Sequence, residues 1–274
     1  MGQDNPTKVA VINLGCPKNQ VDAENMLGLL QRDGFLLTGN PEEADAVIVN
    51  TCGFIRDAKE ESVTALLNAV RLKKRGKVRR VLAAGCLAQR YGEELRKEIP
   101  ALDGIIGIGA QEQIAAAVRK ALAGDTCYAV GAPRPVLPEA MPRVLSTPPW
   151  TAYLKIADGC DRACSFCAIP QIRGAMVSRP LEGIVAEAEQ LAAQGVRELV
   201  LIAQDTSSYG KDRYGELRLA ELMRALCRIE GIEWIRPLYY YPTCVTDELI
   251  DLVAGEPKLC KYMDIPLQHV AGPL

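Results

Sequence analysis

Apolar residues in the first half of this chain gather in short branched runs, each followed by a longer stretch where they recur every three or four positions. The runs at 9–14 (VAVINL), 46–50 (AVIVN) and 78–84 (VRRVLAA) are of the kind that build buried parallel strands. The stretches at 19–32, 57–74 and 91–98 predict helices, and a further strand–helix pair is predicted at 104–108 and 111–123. Strand alternating with helix means an α/β sheet with right-handed crossovers, here an N-terminal doubly wound domain over 1–130. Residues 131–150 (GAPRPVLPEAMPRVLSTPPW) hold six prolines in twenty positions and predict an extended, semi-rigid linker. The alternation then restarts over 151–274 with a longer period. Strands are expected at 152–157, 198–203, 234–240 and 259–264, and helices at 181–194, 217–229 and 246–253. That spacing suits the βα units of a barrel-like sheet, whose reacting groups sit at the C-terminal ends of the strands.

Composition narrows the class. The 274 residues are 49% hydrophobic and 24% charged, near globular averages, and the net charge of −2 gives no field for nonspecific nucleic-acid binding. No apolar run approaches the about 20 residues needed to span a bilayer, and the first residues, MGQDNPTKVAVINLG, are unlike a signal peptide. The expectation is a cytoplasmic chain with no membrane partner. The basic run at 71–80 (RLKKRGKVRR) reads as a solvated helix end, where cations complement the helix dipole, with contact to RNA as the other reading. Ten cysteines beside a single histidine, His269, argue against a disulfide framework and for metal or redox chemistry.

Two cysteine groups carry that chemistry. Cys160, Cys164 and Cys167 follow the strand YLKIADG in a C-x-x-x-C-x-x-C loop. Three thiolates on one loop can hold three irons of a four-iron cluster and leave the fourth iron open. The competing reading is a zinc site lacking its fourth ligand, although no second Cys or His pair follows at zinc spacing. Cys16, Cys52 and Cys86 lie far apart in sequence, but each follows a predicted strand (VINLG-Cys16, IVNT-Cys52, LAAG-Cys86). In a parallel sheet such ends meet along one edge, where open α/β sheets bind ligands. They fit a second cluster or, taken alone, three buried structural thiols.

The C-x-x-x-C-x-x-C spacing, with aromatic Phe166 before the third Cys and a strand in front, resembles the radical S-adenosylmethionine superfamily. Together with NLGCPKNQVDAENMLG (13–28), VNTCGFIRDAKEES (49–62), AAGCLAQRY (83–91), DGCDRACSFCAIPQIRGAMVSRP (158–180), LIAQDTSSYG (201–210) and MDIPLQH (263–269), the whole chain resembles the methylthiotransferase family. LGCPKN, CGFI, IPQIRG and AQDTSSYG are similar to the branch that modifies an aspartate of a small-subunit ribosomal protein. The branches acting on tRNA adenosine usually read GCQMN and GQN-x-x-SYG instead.

The resemblance implies an auxiliary 4Fe-4S cluster on Cys16, Cys52 and Cys86, and a radical 4Fe-4S cluster on Cys160, Cys164 and Cys167. It implies cleavage of S-adenosylmethionine to a 5′-deoxyadenosyl radical, removal of a hydrogen from the aspartate β-carbon, and insertion of sulfur. A second S-adenosylmethionine supplies the methyl group, and a reductant and a sulfur donor are further partners. Gln204 and Asp205 end the second barrel strand, where the superfamily often holds the methionine part of the cofactor, and Arg179 is placed to neutralise its carboxylate. The alternatives are a tRNA-adenosine methylthiotransferase and, in another class, a non-catalytic iron–sulfur or zinc scaffold. Cys127, Cys227, Cys244 and Cys260 read as ordinary buried thiols, His269 as packing or functional, and the glycines of 104–109 fit neither phosphate-loop pattern. Residues 151–274 span roughly half of the about 250 residues of a full eightfold barrel, so a C-terminally truncated barrel with an aggregation-prone sheet edge is expected.

Overall fold

The computed structural model describes residues 6–135, 137, 141–268 and 271–272. They form two compact units. The first comprises Met1–Ser146 with Asp161–Ala175, and the second Thr147–Cys160 with Met176–Leu274. The segment 161–175, expected in the second domain, therefore packs with the first.

In the first unit the strands are β1 (Lys8–Asn13), β2 (Leu36–Leu37), β3 (Ala46–Thr51), β4 (Arg80–Gly85), β5 (Gly104–Ile106) and β6 (Cys127–Ala129). They make one parallel sheet in the order β2-β1-β3-β4-β5-β6. Its helices are α1 (Pro17–Arg32), α2 (Arg56–Lys74), α3 (Cys86–Glu98), α4 (Ile114–Ala123) and, from the later segment, α5 (Ile169–Arg173). Alternation along the strands builds two cores. Ala46, Ile48, Leu82 and Ala84 face Met26, Leu30, Ile114 and Val118 of α1 and α4. Val47, Val49, Val81 and Ala83 face Leu66, Val70, Leu87 and Leu95 of α2 and α3. Both faces of the central strands are covered, as a doubly wound parallel sheet requires.

Several expected boundaries move for local reasons. The third helix begins at Cys86 rather than 91, because Gly85-Cys86 is a helix start and Tyr91 is a kink inside the helix (φ −128°, ψ 31°). Only 114–123 of the expected 111–123 is α-helical, behind a 3-10 turn over Ile108–Gln113. The basic run behaves as a helix end. Arg71, Lys73 and Lys74 occupy the last turn of α2, and Lys73 pairs with Asp103 at 2.6 Å. The proline-rich stretch lies along α1 at its far end. Glu24, fully buried, accepts from Arg143 at 2.6 Å, from Ser146 N at 2.9 Å and from Ser146 Oγ at 2.7 Å. A Cβ at Gly28 would stand 2.1 Å from Pro142 O, so a glycine in mid-helix leaves room for this crossing.

In the second unit, β7 (Thr151–Lys155), β10 (Glu198–Ile202) and β11 (Trp234–Pro237) form a parallel sheet in the order β11-β10-β7. A two-residue antiparallel pair joins β8 (Ala157–Asp158) to β9 (Val177–Ser178). Helices α6 (Leu181–Ala193), α7 (Lys211–Tyr214), α8 (Leu219–Cys227) and α9 (Asp247–Gly255) complete it. This is the partial barrel-like pattern expected, with two corrections. Residues 259–264 are not a strand; Leu259 makes a single parallel bridge to Ile235. The extended run breaks where Tyr262 N turns back to Cys260 O at 2.7 Å. The strand expected to reach 240 stops at Pro237, and Tyr239 then adopts φ 65°, its N–H held by Asp264 Oδ2 at 3.1 Å.

Candidate functional site

Three adjacent strands of the first unit, β1, β3 and β4, end beside one another, and a cysteine follows each. Cys16 is the N-cap residue of α1, Cys52 comes directly after β3, and Cys86 is the first residue of α3. The sequence-predicted trio is thus gathered at the C-terminal edge of the sheet. Two glycines with positive φ allow it. Gly15 (φ 94°) has no room for a side chain, since a Cβ there would stand 2.9 Å from Cys52 Cβ. At Gly85 (φ 88°) a Cβ would meet Asn50 Oδ1 at 2.4 Å and Thr51 O at 2.7 Å. Gly85→Ala is expected to cost about 2–4 kcal/mol of stability, from left-handed strain and overpacking together. Urea denaturation of the two proteins measures this, and a loss below about 0.5 kcal/mol would show that the turn is not constrained.

Side chains stitch these loops together. Asn19 Nδ2 donates to Leu14 O at 3.0 Å and to Thr51 O at 2.9 Å, tying the first loop to the second. Thr51 Oγ1 donates to Ala84 O at 2.6 Å, tying the second to the third. Ser62 of α2 clamps Cys52, accepting from its N–H at 2.9 Å and donating to its carbonyl at 3.1 Å. Asn50 Nδ2 donates to Asn13 Oδ1 and Asn19 O, both at 2.8 Å, while its own Oδ1 is buried without a partner. Cys86 Sγ donates to Asn19 Oδ1 at 3.2 Å.

A group the sequence did not single out enters here. Arg173, at the end of α5, is 1% exposed and donates to Asn19 Oδ1 at 2.7 Å and Asp22 Oδ2 at 2.8 Å, with Cys86 Sγ at 3.5 Å. Its motif, IPQIRG, stands out in the chain, but nothing local in that segment shows where the guanidinium goes. Burial pushes the Cys86 thiol up to about 11 and raises Cys52 as well, and Arg173 opposes both shifts. The N-termini of α1 and α3 add their positive dipole ends beside Cys16 and Cys86.

A four-iron cluster takes each thiolate on a different iron, and Cys16, Cys52 and Cys86 offer one thiol from each of three loops.

The second trio is divided between the units: Cys160 ends the first segment of the second unit, and Cys164 and Cys167 belong to the first. All three are half-buried, Cys167 N donates to Cys164 O at 3.1 Å in a turn, and Phe166 between them is 68% exposed. Of the other cysteines, Cys244 is buried as expected, but Cys127, Cys227 and Cys260 are only half-buried. His269 lies outside the described residues.

The other sequence-predicted groups sit in the second unit and differ in kind. Asp205 is occupied by its own turn, accepting from Ser207 Oγ at 2.6 Å, Ser208 Oγ at 2.6 Å and Ser208 N at 3.2 Å. Arg179 pairs with Glu187 at 2.5 Å and donates to Lys155 O at 2.9 Å, and its buried Nε has no partner. Gln204 donates to Asp158 Oδ1 at 2.8 Å, and its buried Oε1 has none either. Asp158 also pairs with Lys155 at 3.2 Å, so Lys155 and Asp158 join this polar group unforeseen. Gln204 and Arg179 therefore keep hydrogen-bonding capacity that a polar cofactor can use, whereas Asp205 holds the DTSS turn.

Known proteins share both halves. The pattern of the Radical SAM superfamily matches residues 154–271, and that of Uncharacterized protein family UPF0004 matches residues 8–107. A solved radical S-adenosylmethionine methyltransferase, TsrM from Kitasatospora setae, superposes on 98% of this chain and 60% of its own, with TM-score 0.67 at 14% identity. The cobalamin-dependent radical enzyme OxsB gives TM-score 0.52 at 10% identity, over 91% of this chain and 42% of its own. At such identities these two speak for the fold alone. The chain thus carries a UPF0004 domain followed by a Radical SAM superfamily domain.

The curated relatives it is similar to include ribosomal protein uS12 methylthiotransferases RimO. The one from Pelotomaculum thermopropionicum is 50% identical over 97% of this chain, and the one from Symbiobacterium thermophilum 51% over 96%. The chain spans 60% and 54% of their respective lengths.

Proposed function

We propose that this chain methylthiolates ribosomal protein uS12 at the β-carbon of an aspartate, using two 4Fe-4S clusters and two molecules of S-adenosylmethionine. The observation that carries the reading is the gathering of Cys16, Cys52 and Cys86 from three strand ends around a buried guanidinium. About 50% identity to relatives named for uS12 supports the substrate. Cys16, Cys52 and Cys86 would hold the auxiliary cluster, and Cys160, Cys164 and Cys167 the radical cluster. Bound there, the clusters and S-adenosylmethionine supply the one-electron chemistry that an unactivated C–H bond requires and that acid–base side chains lack. Gln204 and Arg179, each with a buried unpartnered atom, would orient the polar end of S-adenosylmethionine. A reductant and a sulfur donor complete the reaction, which on this reading takes place in the cytoplasm. No helix among the described residues is long and apolar enough to cross a membrane.

Mass spectrometry of uS12, beside nucleoside analysis of tRNA, tests the assignment in cells with and without the gene. Loss of the gene should remove a methylthio group from a uS12 aspartate and leave tRNA unchanged. A methylthio group lost from tRNA with uS12 unaltered would defeat the substrate.

A further inference from the structure

Arginine is seldom buried without a charge to answer, because removing a cation from water costs several kcal/mol unless the site compensates it. Arg173 is delivered into the interior of the first unit by a short helix that is itself pinned. Ile172 is fully buried in a cluster with Cys86 and Ile108, with Ala168 packed against it, and Gly174 turns with φ 79° against Pro133 O. The guanidinium is held by Asn19 and Asp22 of α1, and it reaches Cys86 Sγ. Asp22 is likewise only 2% exposed. The result is a fixed cation with its partner acid, both shielded from salt, beside one cysteine of the trio.

We propose that Arg173 is a positioning residue that supplies the standing countercharge to the cluster held by Cys16, Cys52 and Cys86, and so sets its reduction potential, with Asp22 trimming that charge. The proposal rests on the auxiliary-cluster reading given above. Three thiolates leave a four-iron cluster negatively charged, and each added electron makes it more so. A cation at van der Waals distance from a ligating sulfur favours the reduced form, and an anion behind that cation weakens the effect. Because arginine stays protonated at any working pH, replacing Asp22 leaves the cation in place and less compensated.

The two groups should therefore act with opposite sign. In the full chain carrying Cys160→Ala, Cys164→Ala and Cys167→Ala, the auxiliary cluster is the one reconstituted, and its one-electron midpoint is read by a redox titration followed by electron paramagnetic resonance. Arg173→Gln should lower the reduced-to-oxidised ratio at a given potential at least tenfold, a shift of about 59 mV to more negative values. Asp22→Asn should move the midpoint the other way. If Arg173→Gln holds no iron, the Asp22→Asn shift alone decides. An upward shift supports the proposal, whereas no shift, a downward shift, or loss of iron from both variants marks the pair as scaffolding and overturns it. If the parent itself holds no iron on the trio, the cluster reading has failed and the role of Arg173 falls with it. Iron present without a shift sinks only the latter.

Discussion

Alanine at Cys160, Cys164 or Cys167 is expected to abolish reductive cleavage of S-adenosylmethionine altogether. On the proposed cluster assignment, each change leaves two thiolates on a loop where three irons would need one ligand apiece. The nearest other cysteines in sequence are Cys127 and Cys227, and neither lies in the loop. The two remaining ligands cannot hold a cluster whose open iron binds the cofactor, so the effect is a loss rather than a weakening. Anaerobic incubation with dithionite and S-adenosylmethionine, followed by chromatography for 5′-deoxyadenosine, measures it. Wild-type yields from any one of these variants would show that the radical cluster is held elsewhere.

Replacing Cys16, Cys52 and Cys86 together should have a different signature. About half the iron should remain, as expected for one four-iron cluster of two. 5′-Deoxyadenosine should still form, and no sulfur should reach the target aspartate. The structure adds a condition to this test. Cys164 and Cys167 belong to the same compact unit as the trio, and Ile172 packs against Cys86. The triple variant is therefore read beside its far-ultraviolet circular dichroism, so that a collapsed segment 161–175 is not mistaken for a missing cluster. A folded variant that keeps all its iron, or still yields methylthio-aspartate, would make the trio structural and end the two-cluster mechanism.

Much of the fold and both cysteine groups are legible in the pattern of residues along the chain. Branched apolar runs can satisfy their backbone only by pairing, and helices with an apolar stripe must cover them, so 46–50 and 57–74 announce β3 and α2 nearly to the residue. The position of Cys16, Cys52 and Cys86 one to three residues beyond three such runs is enough to place them at one sheet edge. The loop trio needs no fold at all, since its eight residues hold it together covalently. Less is readable where an element is short or where its partner is remote. β2, β6, β8 and β9 are two or three residues long and carry no period. Residues 259–264 look like a strand by composition, but a ladder depends on a neighbour's free edge as well as on apolar character, and here it stops after one bridge.

The sequence by itself determined the long strands and helices of the first unit, and that the cysteines fall into a loop trio and a strand-end trio. Only the tertiary structure decided the strand order that brings β1, β3 and β4 side by side, and the assignment of 161–175 to the first unit. It alone decided that Asp205 holds a turn while Gln204 and Arg179 retain unpartnered atoms, and that Arg173 is buried against Cys86. The reason is range. Periodicity and spacing record what neighbouring residues do to one another along the chain. The partner of a buried charge some 150 positions away is chosen by packing, and no local pattern encodes it.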